Sequence, residues 1–215
     1  MSTIDTTNII VGNSPTQSQN LKITGNNDGT FTIGRADGSQ TIMTVDGSGL
    51  ITQTQGKQLT LATAQATTSG TSIDFTGIPS WVKRITVMLN GVSTNSTSPV
   101  QLQIGSGSVT TSGYLSNLTS LANGASAAVT NLTSGFVIGD SGTVTASTLT
   151  GTFTLTVITG NAWVCNAWVA HTNAQRLYGA QGGITLGGAL DRIRLTTVNG
   201  TDAFDAGSVN IMYEG

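Results

Sequence analysis

Few side chains in this sequence have the types and spacing that enzyme chemistry requires. The chain has one cysteine, Cys165, and one histidine, His171. Six residues along a β-strand span about 20 Å, which is too far for a thiol–imidazole dyad within one strand. His171 would also have to serve any Ser-His-Asp site, and the sequence has no Gly-x-Ser-x-Gly motif. We therefore expect a structural role for His171 and a buried, unreactive thiol at Cys165.

Two other groups of residues have spacing that could support a ligand. Asp202 and Asp205 form the only close carboxylate pair outside the N-terminal repeats, and paired carboxylates can cleave glycans. They precede the last predicted strand in a stretch rich in Gly and Ala, so we expect solvated carboxylates with too few oxygen neighbours for a metal. Gly105–Gly107 follows a strand but precedes no helix, unlike a phosphate-binding loop. The sequence predicts a non-enzymatic protein without a cofactor.

Composition restricts the classes of protein to which the chain can belong. Charged residues make up 8% of the 215 residues, so Thr, Ser, Asn, Gln and Gly must form the polar surface. The many β-branched residues favour an ordered all-β protein over a disordered one. The net charge of −2 argues against nucleic acid as a partner, and no apolar run is long enough for membrane insertion. With a single cysteine and no signal-peptide pattern, we expect folding in a reducing cytoplasm.

The stretch Ser72–Val92 predicts two strands joined by a corner. Apolar and polar residues alternate on both sides of Pro79, and Trp81 opens the second run. Pro79 fixes φ and has no backbone N–H, so it belongs to the corner. We place the start of a globular head just upstream, near Gly56, so that the head comprises residues 57–215.

Further candidate strands follow at short spacing, with Gly, Ser and Asn between them. They are Leu59–Ala64, Val100–Ile104, Tyr114–Leu118, Phe136–Ile138, Leu149–Ile158, Asn161–His171, Leu177–Leu186, Leu190–Thr197 and Ser208–Tyr213. Many short strands separated by turn residues favour a jelly-roll-like β-sandwich. The last of them has the pattern of a core strand, so truncation there should unfold the head.

Two of these candidate strands differ in their apolar pattern. Leu149–Ile158 alternates regularly, which predicts one buried face and one wet face. Asn161–His171 carries Trp163 and Cys165 on one face, but Trp168 and smaller apolar residues on the other. A strand that is apolar on both faces lies between two layers or at a subunit contact.

The first twenty residues are polar apart from one short apolar cluster, Ile9, Ile10 and Val11. A segment of this composition cannot offset its own ordering entropy. It is therefore either a disordered tail or an attachment arm, residues 1–20, that orders against a partner with these three residues as its anchor.

A nine-residue repeat occupies residues 21–56, which we expect to form a short stalk. Each copy has an Asp-Gly turn signal followed by an isoleucine. The turns begin at Asp28, Asp37 and Asp46, and the isoleucines are Ile33, Ile42 and Ile51. Units this short cannot bury an apolar face alone, so we infer that several copies of the chain wind together with the isoleucines on a shared axis. A β-meander against the head is the alternative. Calcium binding would require a Gly-rich motif that these repeats lack.

Three segments have a distinctive amino-acid sequence. They are Leu59-Thr60-Leu61-Ala62, Ser72-Ile73-Asp74-Phe75-Thr76-Gly77-Ile78-Pro79-Ser80-Trp81-Val82-Lys83-Arg84-Ile85-Thr86 and Asn90-Gly91-Val92-Ser93. Together they resemble a module of structural proteins of tailed bacteriophages, where it usually stands at the C-terminal end. The preceding repeats, which end Thr44-Val45-Asp46-Gly47-Ser48-Gly49, are similar to the stalk-like segments ahead of such modules. The resemblance covers residues 20–110, and only the pattern continues beyond.

The resemblance implies a homotrimeric virion appendage, made in the bacterial cytoplasm and displayed on the virion surface. Its N-terminal arm would contact other virion proteins of the capsid or tail, and its β head would project. The family motif is structural and carries no catalytic residues across. Because the chain has room only for a short stalk, we expect a capsid-attached fibre or decoration protein. A tail fibre or receptor-binding tip that recognises host surface glycan is the alternative.

If the head recognises a receptor, its loops are the expected contact region, because recognition concentrates in loops on a rigid scaffold. The candidate loops are Ser93–Pro99, Ser120–Thr130 and Ala174–Gly183. Within the last of them, Arg176 and Tyr178 are candidate ligand contacts that could stack on a sugar, although rim packing would explain them equally well.

Overall fold

The computed structural model describes residues 8–11, 15–16, 20–25, 29–36, 41–49, 51–53, 59–139 and 148–215. Every regular element among these residues is a β-strand, which confirms the all-β prediction. The chain divides into two compact units, Met1–Gln58 and Leu59–Gly215. We describe them separately as the N-terminal unit and the head.

The N-terminal unit contains one antiparallel sheet with its strands in sequence order. The strands are β1 (Asn8–Val11), β2 (Leu21–Gly25), β3 (Phe31–Arg35), β4 (Thr41–Val45) and β5 (Ile51–Gln53). After β4, the Asp46 side chain accepts a hydrogen bond from the Ser48 N–H at 2.9 Å. Gly49 follows with a φ of +83°, a conformation that glycine adopts without steric cost, so this segment is a tight turn. Asp28 and Asp37, which begin the other predicted turns, lie outside the described residues.

The head is built from fourteen strands in its described part. They are β6 (Thr60–Leu61), β7 (Gln65–Ala66), β8 (Ser72–Thr76), β9 (Arg84–Thr94), β10 (Val100–Ser106), β11 (Ser108–Val109), β12 (Leu115–Ala122), β13 (Ala128–Leu132), β14 (Phe136–Ile138), β15 (Leu149–Thr159), β16 (Ala162–His171), β17 (Arg176–Thr185), β18 (Arg192–Thr197) and β19 (Phe204–Glu214).

These strands form two sheets. The small sheet has the order β11-β10-β18-β8, with β14 also paired to β10. The large sheet has the order β13-β12-β17-β16-β15-β9-β19-β6, with β7 also paired to β19. Every strand pair among the described residues of the head is antiparallel. The pair β9 and β19 joins the first part of the head sequence to its last strand.

The predicted corner in Ser72–Val92 is the point where the chain passes from one sheet to the other. β8 belongs to the small sheet and β9 to the large sheet. Gly77 has a φ of +75°, and the Val82 N–H donates to the Pro79 carbonyl, so the turn residues act as the sequence predicts. The second strand begins at Arg84, because Trp81 stays in the corner and packs against Tyr213 with ring centroids 5.9 Å apart.

A single apolar core joins the two sheets of the head. Alternate residues of several strands point into it, as Ile73 and Phe75 do on β8 and Phe153 and Leu155 do on β15. We call these the inner faces and the opposite surfaces the outer faces. The arrangement is a β-sandwich, as predicted, and its jelly-roll character and trimeric state stay predictions.

Strand β19 runs through the large sheet between β9 and the short strands β6 and β7. Val209 and Ile211 lie in the core, each 1% exposed. Register shifts accompany Gly207, whose φ is +93° and where an added Cβ would stand 2.4 Å from the Gly91 carbonyl oxygen. Glycine is therefore required at this close approach between β19 and β9.

Most predicted head strands are present, with ends that differ by a few residues. The predicted strand Leu59–Ala64 is shorter, and β7 follows as a separate segment. The sequence pattern missed β11 and β13. β13 is an edge strand whose residues are nearly all exposed, so it carries no alternation of buried and wet positions to reveal it.

Candidate functional site

The N-terminal sheet has one face made of apolar side chains. Cross-strand partners share a face, and the registers Ile23–Ile33–Met43 and Phe31–Val45–Ile51 align these residues in two rows. With Leu21 at the end of the sheet, the members are Leu21, Ile23, Phe31, Ile33, Met43, Val45 and Ile51. We call this surface the apolar face.

Little of the apolar face is covered within the described part of the chain. Leu21, Phe31 and Ile51 are 44%, 37% and 57% exposed, and the other members are half-buried. By contrast, the opposite face carries Lys22 and a series of threonines on β2, β3 and β4. The sheet is therefore amphipathic, and it lacks a second layer among the described residues of its own unit.

The size of the apolar face is informative. Its members come from four strands, β2 to β5, which stand about 4.8 Å apart and have at most five residues, so the face measures about 19 by 17 Å. The largest exposed apolar patch of a monomeric soluble protein is usually a few hundred Å² and often marks an interaction site. A sheet whose apolar face stays in water also gains little of the free energy that burial would contribute.

The predicted axis and anchor residues of the N-terminal region lie in the strands of this sheet. Ile33 and Ile51 lie on the apolar face, whereas Ile42 stands at a register shift between β3 and β4 and has no cross-strand partner there, so its place on a shared axis stays a prediction. Ile9, Ile10 and Val11 form part of β1, which pairs with β2. The predicted anchor is thus a strand of the sheet, and the Ile10 side chain is 52% exposed.

The predicted ligand contacts in the head also differ from the observed arrangement. Tyr178 is fully buried and stacks on His171, with ring centroids 6.3 Å apart. It lies beside Val169 on the inner face, so it is unavailable to a ligand at the surface. Arg176 is half-buried at the start of β17. The predicted loop Ala174–Gly183 is wrong for the same reason, since most of it is this strand.

Cys165 and His171 both lie on the inner face of β16 and are both buried. Burial raises the pKa of the Cys165 thiol, so the thiol stays protonated and unreactive at neutral pH. In the residues that the structure describes, no three of the His, Cys, Asp and Glu side chains stand close enough together to hold a metal ion.

Asp202 connects two loops of the head, those that contain Ser98 and Asn199, through hydrogen bonds. Its carboxylate accepts hydrogen bonds from the Ser98 N–H at 2.9 Å and from Asn199 Nδ2 at 2.6 Å. The Asn199 side chain, followed by the Ser98 backbone, lowers the pKa of Asp202 below its ordinary value. Asp205 lies within β19, which begins at Phe204, whereas Asp202 precedes this strand. The carboxylate of Asp202 therefore has a structural role in this junction.

Sequence reasoning did not single out the exposed indole of Trp168 as a site. β16 has one buried face, which includes Trp163, whereas Trp168 and Val164 on the outer face are 46% and 37% exposed. Within the head, this strand therefore does not lie between two layers. The apolar residues on its second face were the signal that could have identified the surface.

Comparison of the chain with protein-family models, curated proteins and solved structures found no match. Among the described residues, no helix is long and apolar enough to span a membrane.

Proposed function

We propose that the chain is a non-enzymatic structural protein of a tailed-bacteriophage virion, a short trimeric fibre or decoration subunit on the capsid surface. The observation that carries the proposal is the apolar face of the N-terminal sheet, which has no covering layer among the described residues of its unit. The sequence resemblance of residues 20–110 to phage structural modules supplies the biological setting.

Copies of the same chain fit the apolar face well. The face is uncharged except for Arg35, which shares a row with Leu21 at its edge. Three sheets related by a threefold axis can each turn this face inwards, so that each one supplies the second layer for the others. Closed rotational symmetry of this kind buries every copy of the face and leaves the threonine-rich faces in water.

The N-terminal residues remain the proposed contact with other virion proteins of the capsid or tail. β1 is the first strand in the order of its sheet, so its outer edge is unpaired among the described residues. Such an edge offers backbone donors and acceptors to an added strand. A strand from a neighbouring virion protein would satisfy them.

A tail fibre or receptor-binding tip that recognises host surface glycan is the second candidate function. The observation that favours it is Trp168, which is 46% exposed on the outer face of the large sheet. Exposed aromatic side chains on a rigid sheet are characteristic of binding surfaces. Imaging of antibody-labelled particles separates the candidates, since label confined to the tail would contradict the capsid proposal.

The self-association of the chain can be tested with a charge on each side of the N-terminal sheet. Ile33→Asp places a carboxylate on the apolar face, and Thr32→Asp places the same charge on the opposite face of β3. Light scattering should give three chain masses for the wild type and for Thr32→Asp, and one chain mass for Ile33→Asp. A wild-type monomer at concentrations of about 10 μM or above would refute the proposal.

A further inference from the structure

The outer face of the large sheet carries an aromatic platform centred on Trp168. In the register of the sheet, Trp168 lies between Thr152 on β15 and Gly179 on β17. A Cβ added at Gly179 would stand 3.1 Å from Cζ3 and 3.2 Å from Cη2 of Trp168. The indole therefore extends across β17 over a position that has no side chain, and it is 46% exposed to solvent.

A row of amide side chains runs beside this platform across four strands. Asn166 pairs with Gln181, Gln181 with Asn117, and Asn117 with Asn131. Gln181 Nε2 lies 2.9 Å from the same added Cβ position at Gly179, so the first amides of the row are next to the indole. The row ends at a surface hollow of about 460 Å³ that Asn117 and Asn131 help to line.

The two amides nearest the indole retain hydrogen-bonding capacity. Gln181 Nε2 donates weakly to Asn166 Oδ1 at 3.5 Å and to the Ala167 carbonyl at 3.4 Å. Neither Gln181 Oε1 nor Asn166 Nδ2 has a hydrogen-bond partner among the residues that the structure describes. One acceptor and one donor therefore remain available for a ligand beside the ring.

The rows of Trp168 and of the amides carry no charged side chain at any described position from β13 to β9. The ion pair Arg84–Glu214 on this sheet is in the row of Val164, about 13 Å from Trp168 along β16. This surface offers no cation to pair with an anionic ligand. An apolar helix would also be a poor ligand, because one of the two rows that it would contact consists of polar amides. The surface is suited to an uncharged ligand that is both apolar and rich in hydroxyl groups.

We infer that this surface binds a neutral carbohydrate. One pyranose ring stacks its C–H groups on the negatively polarised face of the Trp168 indole. Its hydroxyls, which both donate and accept, bond to the paired donor and acceptor atoms of Asn166 and Gln181. Further sugar residues follow the amide row towards the hollow at Asn117 and Asn131. This inference deepens the second candidate function and does not depend on the apolar face of the N-terminal sheet.

The test uses the full-length chain with uncharged tetrasaccharides of glucose, galactose, mannose and N-acetylglucosamine, measured by calorimetry and tryptophan fluorescence. We expect at least one to bind with millimolar or better affinity and to change the emission of the wild type. Trp168→Ala should weaken binding about tenfold or more. Gly179→Ala, which keeps the indole but pushes it and Gln181 outwards, should weaken binding about threefold or more. Ile158→Ala removes an equally apolar side chain that is 67% exposed on β15, and it should leave affinity unchanged.

Three outcomes overturn the inference. The first is that none of the four sugars binds at about 10 mM, and the second is that Trp168→Ala binds as the wild type does. The third is that Trp168→Ala changes the number of chains in the particle measured by light scattering, because the face would then be a protein contact. Since Ile33→Asp tests the N-terminal sheet separately, failure of the sugar site and failure of the trimer proposal give different results.

Discussion

The N-terminal sheet and the large sheet of the head follow the same rule of alternation but differ in what covers their apolar side. In the head, the inner face of the large sheet meets the small sheet, and residues such as Phe153 and Val87 are fully buried. In the N-terminal sheet, the described apolar residues form a comparable face, yet Phe31 is 37% exposed. We therefore expect the head to fold as a single chain, and we propose that the N-terminal sheet depends on other copies.

The physical basis of this difference is the number of layers. Burying apolar area contributes roughly 25 cal/mol for each Å² removed from water, and ordering the backbone costs about 1–2 kcal/mol per residue. When two sheets face each other, the apolar faces of both are removed from water, and both contribute this free energy of burial. A lone sheet removes much less apolar area from water, which is why we propose that the N-terminal sheet associates with other copies. The stability of the N-terminal sheet should therefore depend on protein concentration, and that of the head should not.

The largest expected effect comes from removing β19. A chain that ends at Ala203 loses the strand that pairs with β9 and the core residues Phe204, Val209 and Ile211. The edge of β9 would be left unpaired, and its inner residues would face water. We expect no cooperative thermal transition for the head, measured by near-ultraviolet circular dichroism.

Removal of the other end is the matched control. Deleting Met1–Gln58 leaves the head with all of its strands, so we expect a folded monomer whose melting temperature changes by no more than about 2 °C. If this fragment unfolds, or if the chain without β19 retains its transition, the division between an autonomous head and a dependent N-terminal sheet is incorrect.

A pair of Phe→Ala substitutions sharpens the comparison. Phe153 is fully buried on β15, so Phe153→Ala should destabilise the head by about 3–5 kcal/mol. Phe31 lies on the apolar face, so Phe31→Ala should leave the melting of the head unchanged and weaken self-association instead. Calorimetry follows the first effect, and sedimentation as a function of concentration follows the second. The reverse pattern would mean that the N-terminal sheet has an internal core.

The alternation of apolar and polar residues predicted most strands of the head, because a strand with one buried face has an apolar residue at every second position. Leu149–Ile158 and Ser72–Val92 are examples, and alternate apolar residues in them, such as Phe153 and Ile73, lie in the core. β13 was missed because an exposed edge strand has no such pattern. The register shift beside Ile42 was also beyond prediction, because the nine-residue spacing of the isoleucines does not reveal it.

The surface residues were harder to assign, because alternation separates two faces but does not say which one points inwards. In β16 both faces are apolar, and the small sheet covers only the one that carries Trp163. In β17 the aromatic residue predicted for ligand contact, Tyr178, is on the covered side, opposite Val169. Trp168 lies on the free side. The glycine that makes room for its indole, Gly179, is a neighbour only across the sheet.

The smallest expected effect concerns Asp202, whose hydrogen bonds belong to the head alone. Its pKa is lowered, chiefly by Asn199, so the stabilisation is fully present above the ordinary carboxyl value near pH 4 and is lost as the pH falls through the lowered pKa. Asp202→Asn replaces one accepting oxygen with a donor. For a carboxylate this exposed, we expect a loss below about 1 kcal/mol at pH 7, or roughly 2 °C in melting temperature.

The difference in melting temperature between the wild type and Asp202→Asn should shrink as the pH is lowered below about 4, because the wild-type carboxyl then becomes neutral as well. Self-association should be the same for both proteins at neutral pH, since Asp202 is far in sequence from the apolar face and its carboxylate bonds to Ser98 and Asn199 of the head. If Asp202→Asn lowered the number of associated chains, this result would contradict the assignment of assembly to the N-terminal sheet.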